Sequence, residues 1–139
     1  MTKKFIAREN FNAGMNCSQA VIVALAEDVG LSEDTAKAIA CPFGGGFSRK
    51  REVCGAVSGM LMAIGLAHPE MNKMEMYAYA RKAMDEFSEK TGSIICRELL
   101  VGITSDDTPI PSPRTEEYYK KRPCAELVEI ATAIAEKYI

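Results

Sequence analysis

Five cysteines carry most of the chemistry available to this 139-residue chain, and four of them fall at comparable places. Cys17 follows Asn16, a good helix-capping residue, and Cys54 opens an apolar run after a glycine-rich stretch. Cys96 lies three residues after Ser93, another capping type, and Cys124 follows Pro123, a favoured first helical position. Each of the four therefore falls in the first turn of an expected helix, whereas Cys41 ends one. A helix N-terminus offers unbonded backbone N–H groups and a partial positive charge, both of which favour an anion. Thiolate is such an anion, and it is the form that attacks disulfides and binds metals. Lowering a thiol pKa from about 8.5 to about 7 takes about 2 kcal/mol. A helix end supplies roughly 0.3–1 kcal/mol when exposed and up to about 2 when partly buried. A nearby cation closes the gap. Arg49, Lys50 and Arg51 precede Cys54, Arg97 follows Cys96, and Lys121 and Arg122 precede Cys124, while Cys17 has no such neighbour. Cys54 is thus the expected attacking thiol, with Cys17, Cys96 and Cys124 completing the candidate catalytic set.

Two chemistries suit that set. In the first, thiols exchange with disulfides or pass electrons; four cysteines allow three pairings. The chain has no Cys-x-x-Cys, so a pair has to be assembled from different helices. In the second, Cys17, Cys54, Cys96 and Cys124 act as metal ligands for an iron–sulfur cluster or a zinc ion. Their wide spacing counts against a small zinc module, whose ligands come in close pairs. A third reading is a non-catalytic helical binding module. Whether the chain is an enzyme stays open, with an oxidoreductase-like activity the version these residues suit. The counterpart is an unspecified redox partner or small molecule. A c-type haem is not expected, because Cys-x-x-Cys-His is absent.

The elements that must position the thiols read as helices throughout. Helices are expected over Lys3 to Asn12, from Cys17 to a stop at Gly30, from a Ser32 cap to Ala40, and from Cys54 to Ala67. An amphipathic helix follows over Asn72 to Lys90, then a short one from a Ser93 cap to Val101, and a last one from Pro123. No run alternates convincingly enough for a strand. The expected fold is an all-α, compact bundle of about six or seven helices, with a Gly-rich loop before a central helix beginning Cys54-Gly55-Ala56. The helices starting at Cys17 and Cys54 are apolar nearly all round and should be central. The long stretch from Gly102 to Arg122 is either a lid or loosely ordered.

Glycines flank the candidate site. Gly44, Gly45 and Gly46, followed by Ser48, Arg49, Lys50 and Arg51, can cradle an anion through backbone N–H groups, although a flexible turn explains them more simply. Gly55, Gly59 and Ala63 recur every four residues down one side of a helix. That stripe allows close helix approach or leaves room for something bound beside the cysteine. These five glycines form the candidate binding set. His68, the one histidine, precedes Pro69 at a helix end, where interaction with the helix dipole accounts for it.

Taken together, these segments resemble a known family, C_GCAxxG_C_C, named for its cysteine pattern. The resemblance rests on Asn16 to Ala20 (NCSQA), Phe43 to Phe47 (FGGGF), Val53 to Gly59 (VCGAVSG), Gly92 to Leu100 (GSIICRELL) and the late Cys124. It covers about residues 10 to 135. It implies a helical domain with four characteristic cysteines and a redox role; Cys41 lies outside the four. A similar domain appears in split-Soret cytochromes, where an iron–sulfur centre accompanies haem, and this resemblance raises the cluster reading.

Composition narrows the rest. The length fits one domain, residues 1–139, large enough to bury a core without staples. Seventeen Lys plus Arg against nineteen Asp plus Glu leave a net charge of −2, and the basic residues form no long stripe, so nucleic acid is not expected as a partner. The N-terminus has no secretory apolar core, and the longest near-apolar run, Ala56 to Ala67, is about half of a membrane span. The expected compartment is the cytoplasm, where ordinary thiols stay reduced and five cysteines are not a disulfide scaffold by default.

Overall fold

Caps and breakers set the helix boundaries. In the computed structural model, which describes residues 2–104 and 106–139, α1 spans Lys3–Asn12 and α2 spans Cys17–Leu25. Asn16 caps α2 in a reciprocal box: its side chain accepts the Gln19 amide at 2.9 Å, and Gln19 Oε1 accepts the Asn16 amide at 3.1 Å. The continuation expected up to Gly30 tightens instead into a 3₁₀ turn, Glu27–Val29, before Gly30 closes it in the left-handed region. Ser32 caps α3, Glu33–Ala40. A glycine turn then leads to α4, Gly55–Ala67, and Asn72 caps α5, Lys73–Thr91. The chain closes with α6 (Cys96–Leu99), α7 (Glu116–Lys121) and α8 (Cys124–Tyr138).

The architecture is all-α. The long, apolar α2 and α4 pack against each other, α8 lies across both, and α1 and α5 pack on α8 from the outside. Phe11, Ile22, Leu25, Met60, Phe87 and Val128 are among the fully buried side chains between them. Burial of each large apolar side chain contributes about 1.5–3 kcal/mol. Among the described residues, no helix is long and apolar enough to cross a membrane.

Two local expectations change. The helix expected from Ser93 to Val101 shortens to α6, because Ile95 is drawn into an isolated antiparallel bridge with Val53. Ser93 still serves this turn: its hydroxyl accepts the Ile95 amide at 2.9 Å and donates to Glu98 at 2.6 Å. Part of the stretch from Gly102 to Arg122 is helical. Thr115 accepts the Tyr118 amide as the cap of α7, Glu116 and Glu117 occupy its first turn, and Lys120 and Lys121 its last. That charge order suits a helix dipole.

Candidate functional site

The glycine stripe on α4 sets how near the first two cysteines come. A Cβ on Gly59 would lie 2.7 Å from the Ser18 carbonyl oxygen, and one on Gly55 would lie 2.6 Å from Cys17 Sγ. The start of α2 therefore rests directly on the start of α4. The Cys17 sulfur sits on the first turn of α4, whose cap residue is Cys54.

The Val53–Ile95 bridge adds the third cysteine. The Cys54 amide donates to the Ile94 carbonyl at 2.7 Å and the Cys96 amide to the Glu52 carbonyl at 2.6 Å, so the two segments run side by side. Cys124, at the first position of α8, supplies the fourth. All four line one cavity of about 430 Å³, a size ordinary for small-molecule pockets (about 300–1,000 Å³). Cys41, which the sequence pattern set apart, lines it as well and is exposed.

Part of the stretch beyond Gly102 covers this cavity. Pro109, Pro111, Ser112, Arg114 and Tyr118 contribute to its wall. Arg114 fastens it: its guanidinium donates to the Phe11 and Met15 carbonyls at 2.9 and 3.0 Å and lies over the Phe11 ring at 4.4 Å. Arg49 Nη2 and Arg122 Nη2 each donate to Ser112 Oγ at 3.1 Å.

The electrostatics reverse one expectation. Burial pushes the Cys54 thiol well above its ordinary value, and Cys17 pushes the same way, with the Ala56 and Val57 amides opposing only in part. That direction runs against the activation expected of Cys54. The basic residues before it explain why. Arg51 turns to Cys96, donating from Nη1 to Sγ at 3.7 Å, and Arg49 turns to Asp106 at 3.3 Å. Lys50 is exposed and makes no hydrogen bond to Cys54 among the described residues. Burial also raises Cys96, which the Arg51 hydrogen bond and charge oppose and Cys17 reinforces. Cys124 is pushed up to about 12, first by burial, then by Cys17, with Arg122 opposing. Arg97, expected beside Cys96, instead pairs with Glu52 at 2.8 Å, and Lys121 pairs with Glu117 at 2.6 Å. One sulfur recurs in all three cases: the charge of Cys17 opposes ionisation of Cys54, Cys96 and Cys124 alike.

Backbone hydrogen bonds of its own hold the glycine turn together. Gly45 and Gly46 have positive φ, and so do Phe47, Ser48, Arg49 and Arg51. Such a conformation costs a non-glycine residue of order 1–3 kcal/mol and persists only where surroundings enforce it. Here the amides of Ser48, Arg49, Lys50, Arg51 and Glu52 all bond carbonyls of Gly44 to Phe47, so those N–H groups are already spent. Gly44 and Gly45 do line the cavity, as does Gly55. Gly46, where an added Cβ would lie 2.7 Å from Cys96 Cβ, and Gly59, packed on α2, do not. What the turn delivers is side chains. Arg49 and Arg51 are 9% and 5% exposed, and among the described residues Nη1 of Arg49 and Nη2 of Arg51 have no hydrogen-bond partner. Leaving a buried donor unsatisfied costs about 1–3 kcal/mol, more for a charged group.

The arrangement also bears on metal binding. Although the four sulfurs share a cavity, no three Cys, His, Asp or Glu side chains among the described residues are gathered closely enough to hold one ion. As arranged, the donor set does not fit a single zinc ion. His68 lies at the far end of α4, where its Nε2 faces the Tyr138 carbonyl and Nδ1 is 3.5 Å from Glu70.

The sequence offered the segment from Gly44 to Arg51 as a possible substrate contact and Arg122 as a cation beside Cys124, but it did not single out Arg114 or the inward side chains of Arg49 and Arg51. The signal was the Arg-Lys-Arg run and the lone Arg114 in an otherwise polar, proline-rich stretch, but side-chain direction was not visible there.

Fold and site together define an all-helical protein with a thiol cluster in one arginine-lined pocket. Residues 15–138 match the family model described as "Putative redox-active protein (C_GCAxxG_C_C)", and the chain belongs to that family. Membership assigns it a redox-related role in general terms. No curated protein and no solved structure matches the chain.

Proposed function

We propose that the chain performs thiol–disulfide exchange, with Cys17 as the attacking thiol and Cys54 or Cys124 as the thiol that resolves it. The observation carrying this reading is the central place of Cys17, a half-buried cavity residue neighbouring three other thiols that burial keeps protonated. The Cys17 thiolate attacks one sulfur of a small disulfide, forming a mixed disulfide and releasing one thiolate. A second protein thiol then attacks Cys17 Sγ, releasing the second half of the substrate as a thiol. Two protein thiols are oxidised, one substrate disulfide is reduced to two thiols, and the two thiol protons pass to the products.

Thiol counting tests it. The reduced chain, prepared without oxygen, should titrate five thiols, matching its five cysteines. After challenge with excess small disulfide and removal of reagent, it should titrate two fewer, with Cys17 in the bond recovered by peptide mapping. Cys17→Ser should form no intramolecular bond. Five free thiols after the challenge would overturn the proposal, as would iron and sulfide in stoichiometric amounts in the anaerobic protein, which would install the cluster reading.

A further inference from the structure

We infer that the substrate is anionic and that Arg49 and Arg51 hold its acidic group inside the cavity. The inference rests on the thiol–disulfide reading for its chemistry, but the binding stands on separate observations.

Both residues line the cavity, both are at least nine-tenths buried, and each keeps one terminal nitrogen without a partner among the described residues. A buried charged donor without an acceptor is the exception in native structures and points to a missing group. The charge census agrees. Arg49, Arg51, Arg114 and Arg122 line the cavity, and among the described residues no Asp or Glu does. The one carboxylate nearby, Asp106, meets Arg49 Nη2 at 3.3 Å while half exposed; Arg51 receives only its backbone carbonyl, at 2.8 Å from Nε. Three of the cavity thiols do not neutralise this charge either, since burial favours the neutral form of Cys54, Cys96 and Cys124.

Arginine forks match the oxygen pairs of carboxylate, phosphate and sulfonate. The strained turn also makes sense on this footing. It forces two arginine backbones into the left-handed region and thereby turns both heads inward. A small acidic disulfide satisfies both halves of the site: oxygens on the free arginine nitrogens, sulfur at the thiol cluster. In the exchange step its disulfide bond breaks as described above, while the acidic group takes no part in electron transfer.

Three small disulfides of different charge test the idea: dithiodiglycolate (dianionic), bis(2-hydroxyethyl) disulfide (neutral) and cystamine (dicationic). The reduced chain should be oxidised by the dianion about tenfold or more faster than by the neutral reagent, with the dication slowest. Raising ionic strength should shrink that ratio. Arg49→Gln and Arg51→Gln should bring the dianion-to-neutral ratio to within about twofold, and Arg51→Lys should restore part of it. A wild-type ratio near one would overturn the inference without any variant. Binding is read separately by calorimetry of inorganic phosphate and of acetate on Cys17→Ser, which cannot start the exchange. Saturable binding lost in the Arg51→Gln double variant supports the anion site even if no disulfide reacts, and that outcome would sink the exchange reading alone. No phosphate or acetate binding, together with equal disulfide rates, removes the site.

Discussion

The two ends of α4 treat their polar groups in opposite ways. At its last turn, the Tyr138 carbonyl of α8 meets His68 Nε2 and accepts the Tyr79 hydroxyl at 2.9 Å, and the Tyr138 hydroxyl donates to Glu86, which also pairs with Lys137. The aromatic rings of His68, Tyr79 and Tyr138 stack edge to face, 5.0–5.2 Å apart. Polar atoms there have found partners. At its first turn, four thiols share one cavity, two arginine nitrogens have no partner among the described residues, and four non-glycine residues hold positive φ. A fold that satisfies one end and leaves the other short of partners locates function in the second. Strain and open donors are tolerated where a ligand completes them.

The sharpest way to break this contrast is through two glycines of the same helix. Gly59→Ala places a methyl 2.7 Å from the Ser18 carbonyl and 3.0 Å from Val21 Cβ, and backbone cannot step aside cheaply. Overpacking of this kind costs about 1–3 kcal/mol, partly offset by the better helix propensity of alanine. Gly65→Ala meets nothing within 4 Å on an exposed face and should instead gain up to about 1 kcal/mol. Urea titrations should therefore move in opposite directions. Only Gly59→Ala should also slow disulfide formation, because it lifts α2, and Cys17 with it, off α4. Equal effects on stability would mean that the stripe does not set the approach of the two helices.

A pH series comes next in size. In the unfolded chain a thiol ionises near pH 8.5, whereas burial raises Cys124 to about 12 in the folded chain. Between those values the unfolded chain has released a proton that the folded chain keeps, so stability falls as pH rises. Below about pH 8 the contribution is complete; the loss runs at up to about 1.4 kcal/mol per pH unit for one thiol. Cys54, raised in the same direction, steepens the slope. Thermal melts in reductant should be flat from pH 7 to 8 and decline above 8.5, and Cys124→Ala should shallow the decline. An unchanged slope in that variant would place the titration elsewhere.

Much of the fold was readable because helix caps are local. Asn16, Ser32 and Asn72 announce helices by their own chemistry, and the structure places helices behind each. The positions of the cysteines at or beside helix starts were readable for the same reason. What neighbouring residues in sequence do not reveal is direction. Arg51 lies three residues before Cys54 yet bonds the sulfur of Cys96, because the positive φ at Arg49 and Arg51 and the Val53–Ile95 bridge turn the strand of chain over. Cys41 looked like an outsider at the end of α3, but Asn16 Nδ2 donates to its carbonyl at 3.0 Å and folds that end against the cavity. The α7 helix was not read, because the surrounding prolines masked Thr115, the paired glutamates and the paired lysines.

The satisfied end of α4 offers the smallest effect and the cleanest control. His68 and Tyr79 both serve a carbonyl in the last turn of α8 that has no partner further along the helix. Removing the imidazole by His68→Ala leaves that carbonyl with the Tyr79 hydroxyl, so the loss should be about 1 kcal/mol. His68→Gln, which can still donate there, should recover part of it. Because the 13 residues of α4 put His68 about 20 Å from Cys54, neither variant should change the rate of disulfide formation. A Cys–His pair would predict the reverse: a large fall in rate with little change in the urea midpoint. Measuring both quantities on His68→Ala therefore separates a residue that closes a helix end from one that works on sulfur, and it asks directly whether the two ends of α4 are as independent as their partners suggest.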